Sequence, residues 1–542
     1  MNQPEELKKN EPLPWSAGTG IDVWAMFHAC MQGDLQEVKR LVERDPALVR
    51  CHYQYRKPLY FAVRENRRDV VSFLMERDPN PTGLAFNDSL LEIARDRGYD
   101  EMRHLLETKL AKIHGASSGG ENVAAAIRAG DLDRVRAILD ASPELLHAGD
   151  LRGNQPIHWA VMTRQTGIMD ELHARGANLN ARRADGARPI QLTHGDYHHR
   201  GWRDVPKDHP IPPGEVLERL RALGASCDIC TAAHIGDLAR VRELVDEDPS
   251  LANRPSDYVT YYPCSGTPLR NAAEAGHLEI VKLLLARGAD PNLPEEGIAP
   301  RGHALYAAAT HGHFEVVELL LKHGAYPNVE VESSADTLSR VLSNGDQKML
   351  ELLCSYGAAR AVHLLAYDND LETAAAVFSA DPSRADDPGA LANAASQGHE
   401  YFVRLMLRYQ PELPRRVRFP GWAVGAKTRE LNELLFQHGM NPSAPDWLGI
   451  TPLHQLARKD DLEKATLFLD HGADVNARDE DISSTPLGWA AKFGNEAMVR
   501  FLLERGAATN LPDDPPWATP LAWATRRGHL EIVELLKNHG AK

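Results

Sequence analysis

The chain has 542 residues, 43% hydrophobic and 25% charged, the make-up of a folded protein too long for one ordinary core. Sixty-one Lys and Arg against 76 Asp and Glu give a formal net charge of −15, which argues against nucleic acid, whose phosphates reward Lys and Arg. The six Cys are too few and too scattered for a disulfide framework, and no 18-residue apolar run could cross a membrane, so a cytoplasmic compartment is expected.

Residues 1–14 read as a polar tail without the apolar stretch of a signal peptide. A first block, 15–114, carries "QGDLQEVKRLVERDPALV" from Gln32. An apolar stripe at helical spacing runs there into Asp-Pro, and Asp before Pro can cap one further short turn. The same sequence type returns as "AGDLDRVRAILDASPELL", "IGDLARVRELVDEDPSLA" and "DNDLETAAAVFSADPSRA", suggesting four blocks.

Residues 115–120, inside "KIHGASSGGEN", read as a flexible joint. Ser117 fits the G-x-S-x-G nucleophile pattern, but a polar helix leads in where an apolar strand is required. A second block, 121–229, contains "QPIHWAVMTRQTGIMDELHARGANLN" and then an insertion at 194–214. That insertion holds His194, His198, His199, Trp202 and His209, and Cys227, Cys230 and His234 follow. Two readings stand. One is a solvated, partner-specific loop packing Trp202 on the stack. The other is a zinc-binding or enzymatic site near 194–234, since Cys-x-x-Cys with His can ligate zinc.

The third block, 230–360, holds the clearest copy, "TPLRNAAEAGHLEIVKLLLARGADPN", Thr267 to Asn292. Thr267 can cap a helix whose first position is Pro268. Leu269, Ala272 and Ala273 give it an inward face. Gly276 lets the chain reverse, Ile280 to Leu285 supply the stripe of a second helix, and Gly288 ends it in a left-handed conformation. The fourth block, 361–542, contains "GWAVGAKT", which lacks the last glycine of a phosphate loop and any buried strand before it. It closes with three more copies whose Thr-Pro-Leu starts lie at Thr451, Thr485 and Thr519, each 34 residues apart.

Residues falling in this order and register, about every 33, resemble the ankyrin repeat family. The resemblance implies an all-α ankyrin-repeat solenoid of about 16 helix-turn-helix units with hairpin fingers. It also implies that fingers and first helices line a concave binding surface. The expected function is a non-catalytic protein–protein interaction scaffold without a cofactor or catalytic residues, and monomeric. A purely architectural spacer is the other alternative.

Finger residues that are costly to expose are the candidate contacts. They are Tyr258, Tyr261 and Tyr262 on one long finger, Trp447 beside Asp446, and Trp517 beside Asp513 and Asp514. Glu295, Glu296, Asp479, Glu480 and Asp481 add negative charge, so a protein or peptide partner of basic character is expected.

Overall fold

The computed structural model describes residues 1–13, 16–78, 89–150, 152–193, 209–257, 263–293, 303–328, 330–331, 335–419 and 423–542. They divide into two compact units. The larger comprises Glu6–Arg95 and Tyr99–Ala359; the smaller comprises Met1–Glu5, Asp96–Gly98 and Arg360–Lys542.

Both units are all-α stacks of short inner and outer helices. In the larger unit the pairs include Pro268–Glu274 with Leu278–Ala286 and Ala304–Thr310 with Phe314–Lys322. In the smaller, Pro452–Lys459, Pro486–Phe493 and Pro520–Arg527 are inner helices; Leu462–Asp470, Glu496–Glu504 and Leu530–Asn538 are their outer partners. Among the described residues the only strands are Glu330–Val331 and Ala335–Asp336, paired antiparallel.

The caps follow from sequence. The Thr267 side chain accepts from Arg270 N–H at 3.1 Å, Thr485 from Gly488 and Thr519 from Ala522. Thr451 adds a reciprocal bond in which its own N–H donates to His454 Nδ1 at 3.1 Å. The Asp-Pro units behave as expected. Asp45, Asp248 and Asp381 each accept the N–H two residues on and start a short 3-10 turn. Ser142 starts the same turn without a side-chain cap bond. The expected joint at 115–120 falls between two helices. Only residues 115–117 lie outside helices. Gly115 ends one helix with φ +65° and the Ser117 hydroxyl accepts from Gly120 N–H at 3.1 Å to cap the next, Ser118–Arg128. A hydroxyl used as a helix cap also accounts for the nucleophile-like pattern.

Two ladders tie successive repeats at several steps. Asn253, Asn292 and Asn328 each donate to the glycine carbonyl after the following outer helix (Gly288, Gly324, Gly357) at 2.8, 2.8 and 3.0 Å. Each also accepts from the backbone N–H two residues beyond that glycine. At several outer helices the preceding histidine reaches the other way. His277 bonds the His234 carbonyl, His313 that of Glu274 and His399 that of Tyr367, at 3.0, 3.0 and 2.9 Å. Between the ladders lie apolar layers such as Leu269, Ala272, Ile280, Val281 and Leu284.

Buried asparagines lock the corner from finger to inner helix. Asn271 is fully buried; its side chain accepts from Cys264 N–H at 2.9 Å and donates to the carbonyls of Ser265 and Thr267 at 2.7 and 2.9 Å. Asn432 does the same with Ala426 and Thr428. Replacing it by Ala strands buried backbone groups, each costing about 1–3 kcal/mol. Asn271→Ala is therefore expected to lower unfolding free energy by about 3 kcal/mol in urea melts. Exposed Asn→Ala at positions that make no ladder bond should stay within about 0.5 kcal/mol.

Candidate binding surface

The fingers before Pro452 and Pro486 are built on aspartates. Asp446 accepts from Leu448 and Ile450 N–H at 2.8 and 2.9 Å, closing a tight turn. Asp479 is 2% exposed and accepts four bonds: Asp481, Ile482 and Ser484 N–H, and the indole N–H of Trp489 at 2.9 Å. Trp523 is tied in the same way, its indole N–H donating to the Ser484 hydroxyl at 2.8 Å. The rings of the inner helices thus brace the fingers.

Burial drives the electrostatics here. It lifts the Asp446 carboxyl to about 6, against its two backbone hydrogen bonds and with added repulsion from Asp481 and Asp479. Burial also raises Asp479, while His454 nearby pulls it down. His454 is pushed below the ordinary imidazole range by burial and its Nε2 bonds the Ser484 carbonyl at 3.0 Å. Because its Nδ1 accepts from Thr451 N–H, Nε2 carries the proton.

Several expected contact residues are corrected by this geometry. Trp447 is 6% exposed, so its ring fills the finger base instead of facing a partner; its carbonyl accepts from Asn2 N–H at 3.1 Å. Trp517 is half-buried, set edge-on to Trp523 at 6.0 Å and covered by the Arg97 guanidinium 4.5 Å from its centroid. Asp514 caps Leu511 N–H at 2.7 Å and lies 3.5 Å from Arg478. Asp479 and Asp481 are buried because they accept or shape backbone turns, so neither contributes to an acidic rim. Asp513 is exposed as expected, and Glu480, also exposed, pairs with the Met1 amino group. Tyr258, Tyr261, Tyr262, Glu295, Glu296 and Trp202 lie outside the described residues, as do residues 194–208 of the His-rich insertion.

The described part of the possible metal set is used for packing. Cys230 is 2% exposed, its thiol pointing to the Gly266 carbonyl at 3.4 Å and pushed well up by burial. Among the described residues no three His, Cys, Asp or Glu side chains group so as to hold a metal ion. No described helix is long and apolar enough to cross a membrane.

The structure also reveals a feature that the sequence reading passed over. Arg458, Lys492 and Arg526 occupy one register, two residues before the left-handed residue that ends each inner helix: Asp460, Gly494 and Gly528. Lys492 Nζ lies 4.6 Å and Arg526 4.4 Å from the Trp523 ring centroid. Their shared 34-residue spacing was the available signal.

Family models match at the same places. "Ankyrin repeats (3 copies)" covers 421–513 and 479–542, "Ankyrin repeats (many copies)" covers 269–321, and "Ankyrin repeat" covers 152–184. The chain is an ankyrin repeat protein. Its Thr-Pro-Leu starts are ankyrin inner-helix caps, and the Asp446 and Asp479 turns are ankyrin fingers.

The raised Asp446 gives a pH test. A carboxyl held near 6 when folded and near 3.9 when unfolded binds more protons when folded, so its contribution to stability is full below the lower value and lost as pH rises through 6. Asp446→Asn keeps the acceptor oxygen and removes the charge. It is expected to raise stability at pH 7.5 by an amount on the order of 2 kcal/mol and to change little at pH 4, read from paired thermal melts.

Proposed function

We propose that this ankyrin repeat protein is a non-catalytic scaffold that binds a partner protein or peptide through its fingers and inner helices. The observation that carries this reading is the division of labour in each repeat. Apolar layers and the Asn and His ladders hold the stack, leaving finger tips and inner-helix positions to differ from one repeat to the next. A spacer needs no such differences. Ankyrin arrays are generally interaction modules, which agrees with it.

The proposed contact residues are Tyr258, Tyr261 and Tyr262, with Asp513, Glu295 and Glu296, and Trp202 on the inserted loop. Trp517 and Asp514 take part through the finger they hold in place. Trp447 no longer belongs with them. A basic partner rested on acids of which Asp479, Asp481 and Asp514 are committed to the fold, so charge at the fingers carries less of the reading than shape and aromatic area. Buried, disulfide-free Cys30, Cys51, Cys230 and Cys264 suit a cytoplasmic protein.

The test is a crosslinking pull-down from native lysate with the wild-type chain beside Tyr258→Ala/Tyr261→Ala/Tyr262→Ala/Asp513→Lys. A protein captured by the wild type and depleted at least about tenfold by a variant that melts normally is the expected result, since interface aromatics carry much of such binding. A chain that captures nothing specific, or whose partner ignores all four changes and all other finger changes, contradicts the scaffold reading.

A further inference from the structure

Besides its own repeats, the smaller unit includes three residues remote from them in sequence, Asp96–Gly98. They lie on the fingers and inner helix of its last repeats. Gly98, with φ +67°, turns the chain directly after Asp96 and Arg97, so the pair stands at a tight corner. Other corners of this kind carry Glu274 and Ala275, Thr310 and His311, or Ser343 and Asn344. Among the described corners only this one sets an acid directly before an arginine.

Each side chain of the pair has its own receiver. The Asp96 carboxylate lies 2.7 Å from Arg527 Nη2 and 4.0 Å from Arg526 Nε, and its side chain is 7% exposed. A carboxylate buried to that degree is costly unless cations answer it, and here two do. Arg97 Nη2 donates to the Asp481 carbonyl at 2.6 Å, and its guanidinium lies 4.5 Å from the centroid of the Trp517 ring. A planar guanidinium over an indole face is attracted by the ring's negative face.

The receivers are held by the repeats themselves. Arg526 donates to the Trp517 carbonyl and lies 4.4 Å from the Trp523 centroid, and Trp517 stands edge-on to Trp523 at 6.0 Å. Asp481 N–H is fixed by the Asp479 carboxylate at 2.7 Å. None of these contacts involves Asp96 or Arg97. Burial pushes the Arg526 guanidinium below its ordinary range; Asp96 opposes this and Arg527 adds to it. Two crowded guanidiniums demand an anion at one end, and an indole face beside a carbonyl demands a cation at the other.

We propose that the surface formed by Trp517, the Asp481 carbonyl, Arg526 and Arg527 recognises an acid–arginine pair in a peptide segment of a partner protein, and that Asp96 and Arg97 occupy it in cis until such a segment takes their place. This rests on the scaffold reading and adds that one of its surfaces is closed by the chain itself.

The experiment is fluorescence anisotropy of a fluorescein-labelled peptide of residues 93–100 with two full-length chains, the wild type and Asp96→Asn/Arg97→Gln. A cis pair competes at an effective concentration on the order of millimolar, so the substituted chain is expected to bind at least about tenfold more tightly than the wild type at about 50 mM salt. Adding Arg527→Gln to the substituted chain is expected to weaken binding at least about tenfold, and adding Lys537→Gln on the last outer helix less than about twofold. If the doubly substituted chain does not melt cooperatively, Asp96→Asn alone serves and must tighten binding about threefold or more. Equal binding by the two chains, or no saturable binding to the substituted one, overturns the proposal and leaves the contact a structural tie. So does binding that ignores Arg527→Gln, or a wild-type dimer in sedimentation that Asp96→Asn/Arg97→Gln dissolves, which makes the occupant a second copy. If the pull-down captures a partner while the peptide fails these tests, only this inference fails and the scaffold stands.

Discussion

No single repeat of this chain can bury its own apolar face, and the rest of the structure follows from that constraint. Leu269 and Val281 are covered only because another helix pair lies alongside. Stacking then leaves backbone groups at the helix ends in need of partners, and the two ladders supply them. Asn292 spans to Gly324 and Tyr326 on one side of the layer, and His313 spans back to Glu274 on the other. Each interaction is modest; repetition makes the stack specific in register.

A fixed frame sets what the fingers can do. Asp446 and Asp479 are held as turn acceptors at an electrostatic cost that shows in their raised protonation ranges. Trp489 and Trp523 reach from the inner helices to secure those turns. Trp447 and Trp517, which look like binding anchors in sequence, are spent on architecture.

Local chemistry was legible in the sequence wherever partners lie within a few residues. Thr267, Thr485 and Thr519 cap as their Thr-Pro-Leu context requires, and Asp45, Asp248 and Asp381 start the extra turns. The repeat period identified the fold. What escaped depends on partners far along the chain. Asp479 reads as an exposed acid until Trp489 is seen donating to it, and Trp447 reads as an anchor until its finger is folded under neighbouring turns. Asn271 carries no local signal of its role, yet it closes the corner behind it. Gly115 to Gly120 looks loose by composition, although one helix ends and another begins there within three residues.

The most direct test of the central claim is native-state hydrogen exchange on Asn292→Ala beside the wild type. If side-chain bonds between successive repeats carry the stack, protection should fall at Tyr326 N–H and across Leu278–Ala286 and Phe314–Lys322, while Glu496–Glu504 keeps its rates. Unchanged protection at Tyr326 and both helices, or an equal loss at every helix of the chain, would contradict it.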